Sequence, residues 1–134
     1  MTRLHIFIFS LVALATVLAS PLPASALSLA EKASIQASMQ RHVDGTLVNG
    51  MMLYLDPKDG DVHRLHPVTA HPMILTMGTH YVLCFDFRDD DGKNVPVDYY
   101  MADGESGYVV FHTAVADRKL LKQLMSDGKV ARLR

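Results

Sequence analysis

Apolar residues are distributed along the chain in three patterns: one unbroken run, one helical stripe, and a series of alternating segments. The run is Leu4 to Ala19, ended by Pro21 and Pro23. The stripe follows Ser28-Leu29-Ala30-Glu31, where Ser and Glu three apart have the spacing of a capping box. Ile35, Met39 and Val43 then recur at i, i+4 and i+8. This predicts a helix from about Leu29 to Asp44, with Gly45 as its left-handed stop.

Beyond the helix the period changes to two. Thr46 to Leu55 reads as a strand, with Asn49-Gly50 inside it as a bulge or an early turn. Asp56 to Asp61, with Pro57 and Gly60, reads as a turn, and Val62 to His66 as the returning strand. Pro67 to His71 is expected to be irregular, and Met73 to Met77 is a further strand. Tyr81 to Arg88 is the clearest strand, turned by Asp89-Asp90-Asp91-Gly92 and answered by Asn94 to Met101. Pro96 has no amide to donate, so a bulge or an exposed stretch is expected there. Ala102 to Gly107 is the next turn and Tyr108 to Thr113 the last clear strand. Asp117 is placed to cap a closing helix with Leu120, Leu121 and Leu124 on one face, stopped at Gly128. Val130 to Leu133 reads as a short extended tail. The fold class is therefore α+β: an N-terminal helix packed on an antiparallel meander of four to six strands, then a short C-terminal helix. The helices are expected to cover one face of the sheet.

The apolar run changes how the first residues are read. Arg3, the run, the prolines and Ala24-Ser25-Ala26 together form the n-, h- and c-regions of a secretory signal peptide. Residues 1–26 are assigned to that leader and residues 27–134 to a single small domain, exported to the periplasm or secreted. The run is short for a bilayer span, so no stable membrane insertion is expected after cleavage. Without Arg3, 12 of the 13 basic residues remain against 14 acids, and no tract is basic enough for nucleic acid. A single cysteine, Cys84, excludes an internal disulfide. The core must hold the domain by itself. Charge is uneven: acids gather in Asp86–Glu105 and bases in Arg118–Arg134, as two solvated faces would have them.

From Ser28 to Thr113, a helix followed by strand hairpins resembles the cystatin-like and nuclear-transport-factor-like arrangement. That resemblance implies a pocket between helix and curved sheet in some members, serving enzymes or binding and dimerisation modules. Only one helix precedes the meander here, which argues against a deep pocket. The protease-blocking Gln-Val-Val-Ala-Gly-like hairpin of cystatins is absent from the sequence, so inhibition is not implied.

Strand parity frames the candidate chemistry. Tyr81, Leu83, Phe85 and Phe87 share one face, the natural core face; Val82, Cys84 and Asp86 share the other. Val95, Val97, Tyr99 and Met101 oppose Pro96, Asp98 and Tyr100. Val109, Phe111 and Thr113 oppose Tyr108, Val110 and His112. A turn centred near Asp91 pairs Cys84 with Asp98, and one near Glu105 pairs Asp98 with His112. The three would form a row at about 5 Å per step. Asp98 and His112 are then candidates for acid/base work, with Cys84, Asp86 and Tyr100 as binding neighbours. Cys84 makes a poor nucleophile, because two carboxylates raise its pKa. The bland alternative is a polar outer face with a surface Asp–His pair.

His63, His66, His71 and His80 are the candidate metal ligands, for Zn²⁺ or Cu²⁺, without any spaced motif to support them. Asp89-Asp90-Asp91-Gly92 lacks the acid spacing of a calcium loop and reads as a hairpin turn. No cofactor is implied. Three functions follow, in order: a non-enzymatic exported domain binding a small ligand or a protein partner, a homodimer through the sheet being one form of the latter; a small acid/base enzyme; a histidine-based metal binder.

Overall fold

The computed structural model describes residues 26–133, so the leader assigned to residues 1–26 falls almost wholly outside the described part. Helix α1 spans Leu29–Thr46. Ser28 and Glu31 close the capping box in both directions: the Ser28 amide donates to Glu31 Oε2 at 2.7 Å, and the Glu31 amide to Ser28 Oγ at 3.2 Å. Ile35, Met39 and Val43 are fully buried. Gly45 does not stop the helix. Thr46 Oγ1 instead donates to the Val43 carbonyl at 2.8 Å, and the helix ends one residue later.

Strands β1 (Leu47–Val48) and β2 (Met51–Leu55) form a hairpin. Asn49 and Gly50 turn it with φ of 52° and 80°, the backbone that a two-residue hairpin loop requires. Strand β3 (Val62–Ala70) is longer than its alternating stretch predicts, because it serves two partners. Its first half pairs with β2 and its second half, through Pro67, with β5. The ladder slips between Pro67 and Thr69.

Strand β4 (Leu75–Met77) and β5 (His80–Arg88) are joined through Gly78 and Thr79. β3 and β4 share one edge of β5, and the other edge carries β6 (Asn94–Gly104). The β5–β6 ladder is unbroken, with Asp86 opposite Pro96, so no bulge forms at that proline. Strand β7 (Gly107–Val115) follows, then α2 (Lys119–Ser126) and β8 (Ala131–Arg132), which pairs with β4. All eight strands belong to one antiparallel sheet. No helix among the described residues is long and apolar enough to cross a membrane.

The sheet is covered on both faces, not one. On the first, Ile35, Met39 and Val43 of α1 join Leu83, Phe85, Phe87, Val97, Tyr99 and Met101. On the second, Leu121 of α2 and Val130 join Val82 and Tyr100, with Leu75, Met77, Ala114 and Leu124 around them. Leu121 is the buried residue of α2, and burying such a side chain contributes about 1.5–3 kcal/mol. The face that alternation marks as polar is therefore roofed in its middle.

Candidate functional site

Beneath α2 the roof is incomplete. The chain leaves β3 at Ala70, and the His71 amide donates to the Cys84 carbonyl at 2.9 Å. Pro72, Met73 and Ile74 step away before β4 rejoins β5 at Leu75, opposite Val82. The gap opens into a cavity of about 100 Å³, lined by His71, Met73, Leu75, Val82, Leu83, Cys84, Asp98, Arg118 and Leu121. Its walls are mostly apolar, and its charges are Asp98 and Arg118.

Asp98 is only 1% exposed. One guanidinium nitrogen of Arg118, Nη2, lies 3.3 Å from its Oδ1. Neither Asp98 oxygen has a hydrogen-bond partner of good geometry, and Arg118 Nε and the Tyr100 hydroxyl are also buried without one. A buried carboxylate normally gathers several donors, since leaving it short costs about 1–3 kcal/mol or more. The shortfall at Asp98 is the strongest chemical feature on this face.

Cys84 stands directly opposite Asp98 in the β5–β6 register. Its Sγ accepts from Arg118 Nη2. Burial first, and then the Asp98 carboxylate, push the thiol up to about 12, against a smaller opposing pull from Arg118. The group is a protonated thiol at neutral pH and is no nucleophile. Two residues along β5, Asp86 Oδ2 lies 2.7 Å from His71 Nε2. Burial works to raise the Asp86 carboxyl, but hydrogen bonds to His71 and Asn94 outweigh it and hold the group below its ordinary value.

The row Cys84–Asp98–His112 is corrected. Asp98 faces Ala114, and His112 faces Tyr100. Two displacements of one residue each produce this. The β6–β7 loop is Glu105-Ser106, closing on Gly104 opposite Gly107, and Phe111 is an extra residue between the Met101–Val110 and Tyr100–His112 pairs. A slip of two leaves Asp98 and His112 on one face, but out of step. The His112 ring packs against Tyr100 at 5.2 Å between centroids and does not line the cavity. The bulge also reverses parity inside β7: Tyr108 and Val110 before it, and Val115 after it, all pack on the α1 side, while Phe111 and Val109 are exposed. Nor is the Asp98 neighbourhood a solvated outer face.

The four candidate metal ligands each have a separate setting. His63 Nε2 lies 2.8 Å from Asp59, His66 Nε2 2.9 Å from Asp90, and His71 sits on Asp86. His80 packs edge-on to Phe111 with Nδ1 buried and unpartnered. Among the described residues one group of three potential ligands converges, Asp56, Asp59 and His63, and it contains a single histidine. In the Asp89–Gly92 turn the Asp89 carboxylate accepts from the Asp91 and Lys93 amides at 3.0 and 2.8 Å, closing the hairpin.

Arg118 is the residue that sequence patterning misses. It counts there only as one of a basic group near the C-terminus. One local signal marks it: Arg118 and Lys119 open α2, where positive charge opposes the helix dipole. Asp117 eases this by accepting from the Lys119 amide at 3.0 Å, although Arg118 itself holds the cap position. Ala116, just before, has φ of 52°, a left-handed backbone that costs a non-glycine residue about 1 kcal/mol. That turn, held by the Ala116 amide on the Pro96 carbonyl at 2.9 Å, brings the chain from β7 back over β6 towards the Asp98 row.

Comparisons of the chain with protein-family models, with curated proteins and with solved structures gave no match.

Proposed function

We propose that the chain is an exported, non-enzymatic binding domain whose ligand site is the Asp98 cavity beneath α2. The observation that carries this is a carboxylate 1% exposed, lining a cavity of about 100 Å³, with neither oxygen properly hydrogen-bonded. Convergent polar groups in a mostly apolar hollow are what small-ligand sites have in common. Three larger, more open hollows lie elsewhere among the described residues: no carboxylate lines the two of about 320 and 310 Å³ beside α1, and in the third, of about 230 Å³, the Asp56 and Asp89 carboxylates already accept from backbone amides. Binding without catalysis fits the chemistry of the residues: the thiol is protonated, and His112 stands away from Asp98. Within this proposal the order of helix and meander supports kinship with the cystatin-like and nuclear-transport-factor-like arrangement. The site would then sit on the sheet face opposite α1.

The test is a fragment screen by amide NMR on protein purified after expression of the full chain, with cationic, neutral and anionic probes of up to about six heavy atoms. Saturable shifts centred on Val82, Cys84, Asp98 and Leu121 are expected. If every probe leaves those amides unmoved, the cavity holds solvent only and the reading fails. Intact mass reports on export: the product should begin at Leu27, and a membrane-retained chain beginning at Met1 would refute it.

A further inference from the structure

We infer that the ligand of the Asp98 cavity is a short primary ammonium ion with an apolar tail of about three carbons. This rests on the binding reading above and names the chemistry of its ligand. Asp98 offers two oxygens, and an ionised carboxylate accepts at about four sites. Arg118 supplies one contact, at 3.3 Å to Oδ1, from a nitrogen it also directs to Cys84 Sγ. The oxygens therefore lack donors. Arg118 Nε and the Tyr100 hydroxyl are also buried short of an acceptor, but the Arg118 side chain is 35% exposed and can turn to water, whereas Asp98, at 1%, cannot. Charge-assisted hydrogen bonds are roughly twice as strong as neutral ones, so a cationic donor is preferred over a hydroxyl. An ammonium group carries three such donors on one atom. Arg118 opposes a second cation, but Asp86 lies on the same face of β5, two residues from Cys84, and offsets part of that charge.

The remaining wall fixes the tail. Apart from His71 and Cys84, the side chains of Met73, Leu75, Val82 and Leu121 offer only hydrocarbon and thioether surface. A cavity of about 150 Å³ holds benzene, with its six heavy atoms. At about 100 Å³, this one has room for about four, which is propylammonium.

The test titrates the protein with propylammonium, 1-propanol and propionate at equal ionic strength, followed by calorimetry and by the Asp98 and Leu121 amides. Propylammonium should bind at least about tenfold more tightly than 1-propanol, and propionate should not saturate. Asp98→Asn should erase that preference; because the ranking is read on the unaltered protein, it stands whether or not the variant folds. If 1-propanol or propionate matches or exceeds propylammonium at these amides, the ammonium assignment is overturned while the binding site survives. If none of the three, nor any fragment of the wider screen, moves the amides, both readings fall together.

Discussion

Asp98 and Arg118 meet across 3.3 Å beneath α2, the carboxylate 1% exposed and the guanidinium side chain 35% exposed. The pair joins the middle of the sheet to the entrance of the last helix. Its asymmetry in burial decides what each partner contributes. Asp98 cannot reach water if its partner is lost, whereas Arg118 can turn outward.

Arg118→Met should therefore be the more damaging single change at this pair. Removing one member of a fully buried pair costs about 3–5 kcal/mol; with Arg118 more than a third exposed, about 2–3 kcal/mol is expected. Asp98→Asn should cost less, and in the double variant it should recover most of the Arg118→Met loss. Urea midpoints of the four proteins measure this cycle. Additive losses would mean that the two side chains do not interact.

Cys84 should resist alkylation. With the thiol at about 12, against an ordinary 9, the native protein holds about a thousandfold less thiolate at pH 8 than an unperturbed cysteine. Iodoacetamide should modify the unfolded chain readily and the native one at least a hundred times more slowly. A native rate within tenfold of the unfolded one would contradict this arrangement.

His42 should make the fold acid-sensitive just below neutrality. Its ring packs edge-on to Tyr99 at 5.4 Å, and burial pushes its pKa below the ordinary 6.5. The unfolded chain then binds the proton more readily than the native one. The associated stability is complete above about pH 6.5 and is lost as pH falls towards the lowered native value. The urea midpoint of the native sequence should fall from pH 8 to pH 5.5 by more than that of His42→Phe. The ring proton should titrate below 6.5 by NMR, and a midpoint above 6.5 would reverse the sign.

The sequence by itself determined the helix, the hairpins and one cross-strand pair. The capping box and the Ile35–Met39–Val43 stripe are local, and α1 follows from them. The turn after Arg88 and the alternation of Tyr81 to Phe87 fix strand faces within a few residues, so Cys84 opposite Asp98 could be counted directly. What only the tertiary structure decided lies where one residue more or less changes everything. Phe111 is an ordinary β-former, and nothing in its neighbourhood marks it as the unpaired residue; yet with the tight Glu105-Ser106 loop it moves His112 two places from Asp98. Likewise, alternation marks Asp98 as pointing away from the α1 core but cannot tell whether anything covers that side. A turn through Ala116 brings α2 over it, and Leu121 and Arg118 convert an apparent outer face into a buried, charged cavity. Periodicity records which way a side chain points, whereas burial depends on a helix that lies far along the chain and packs there only once the sheet exists.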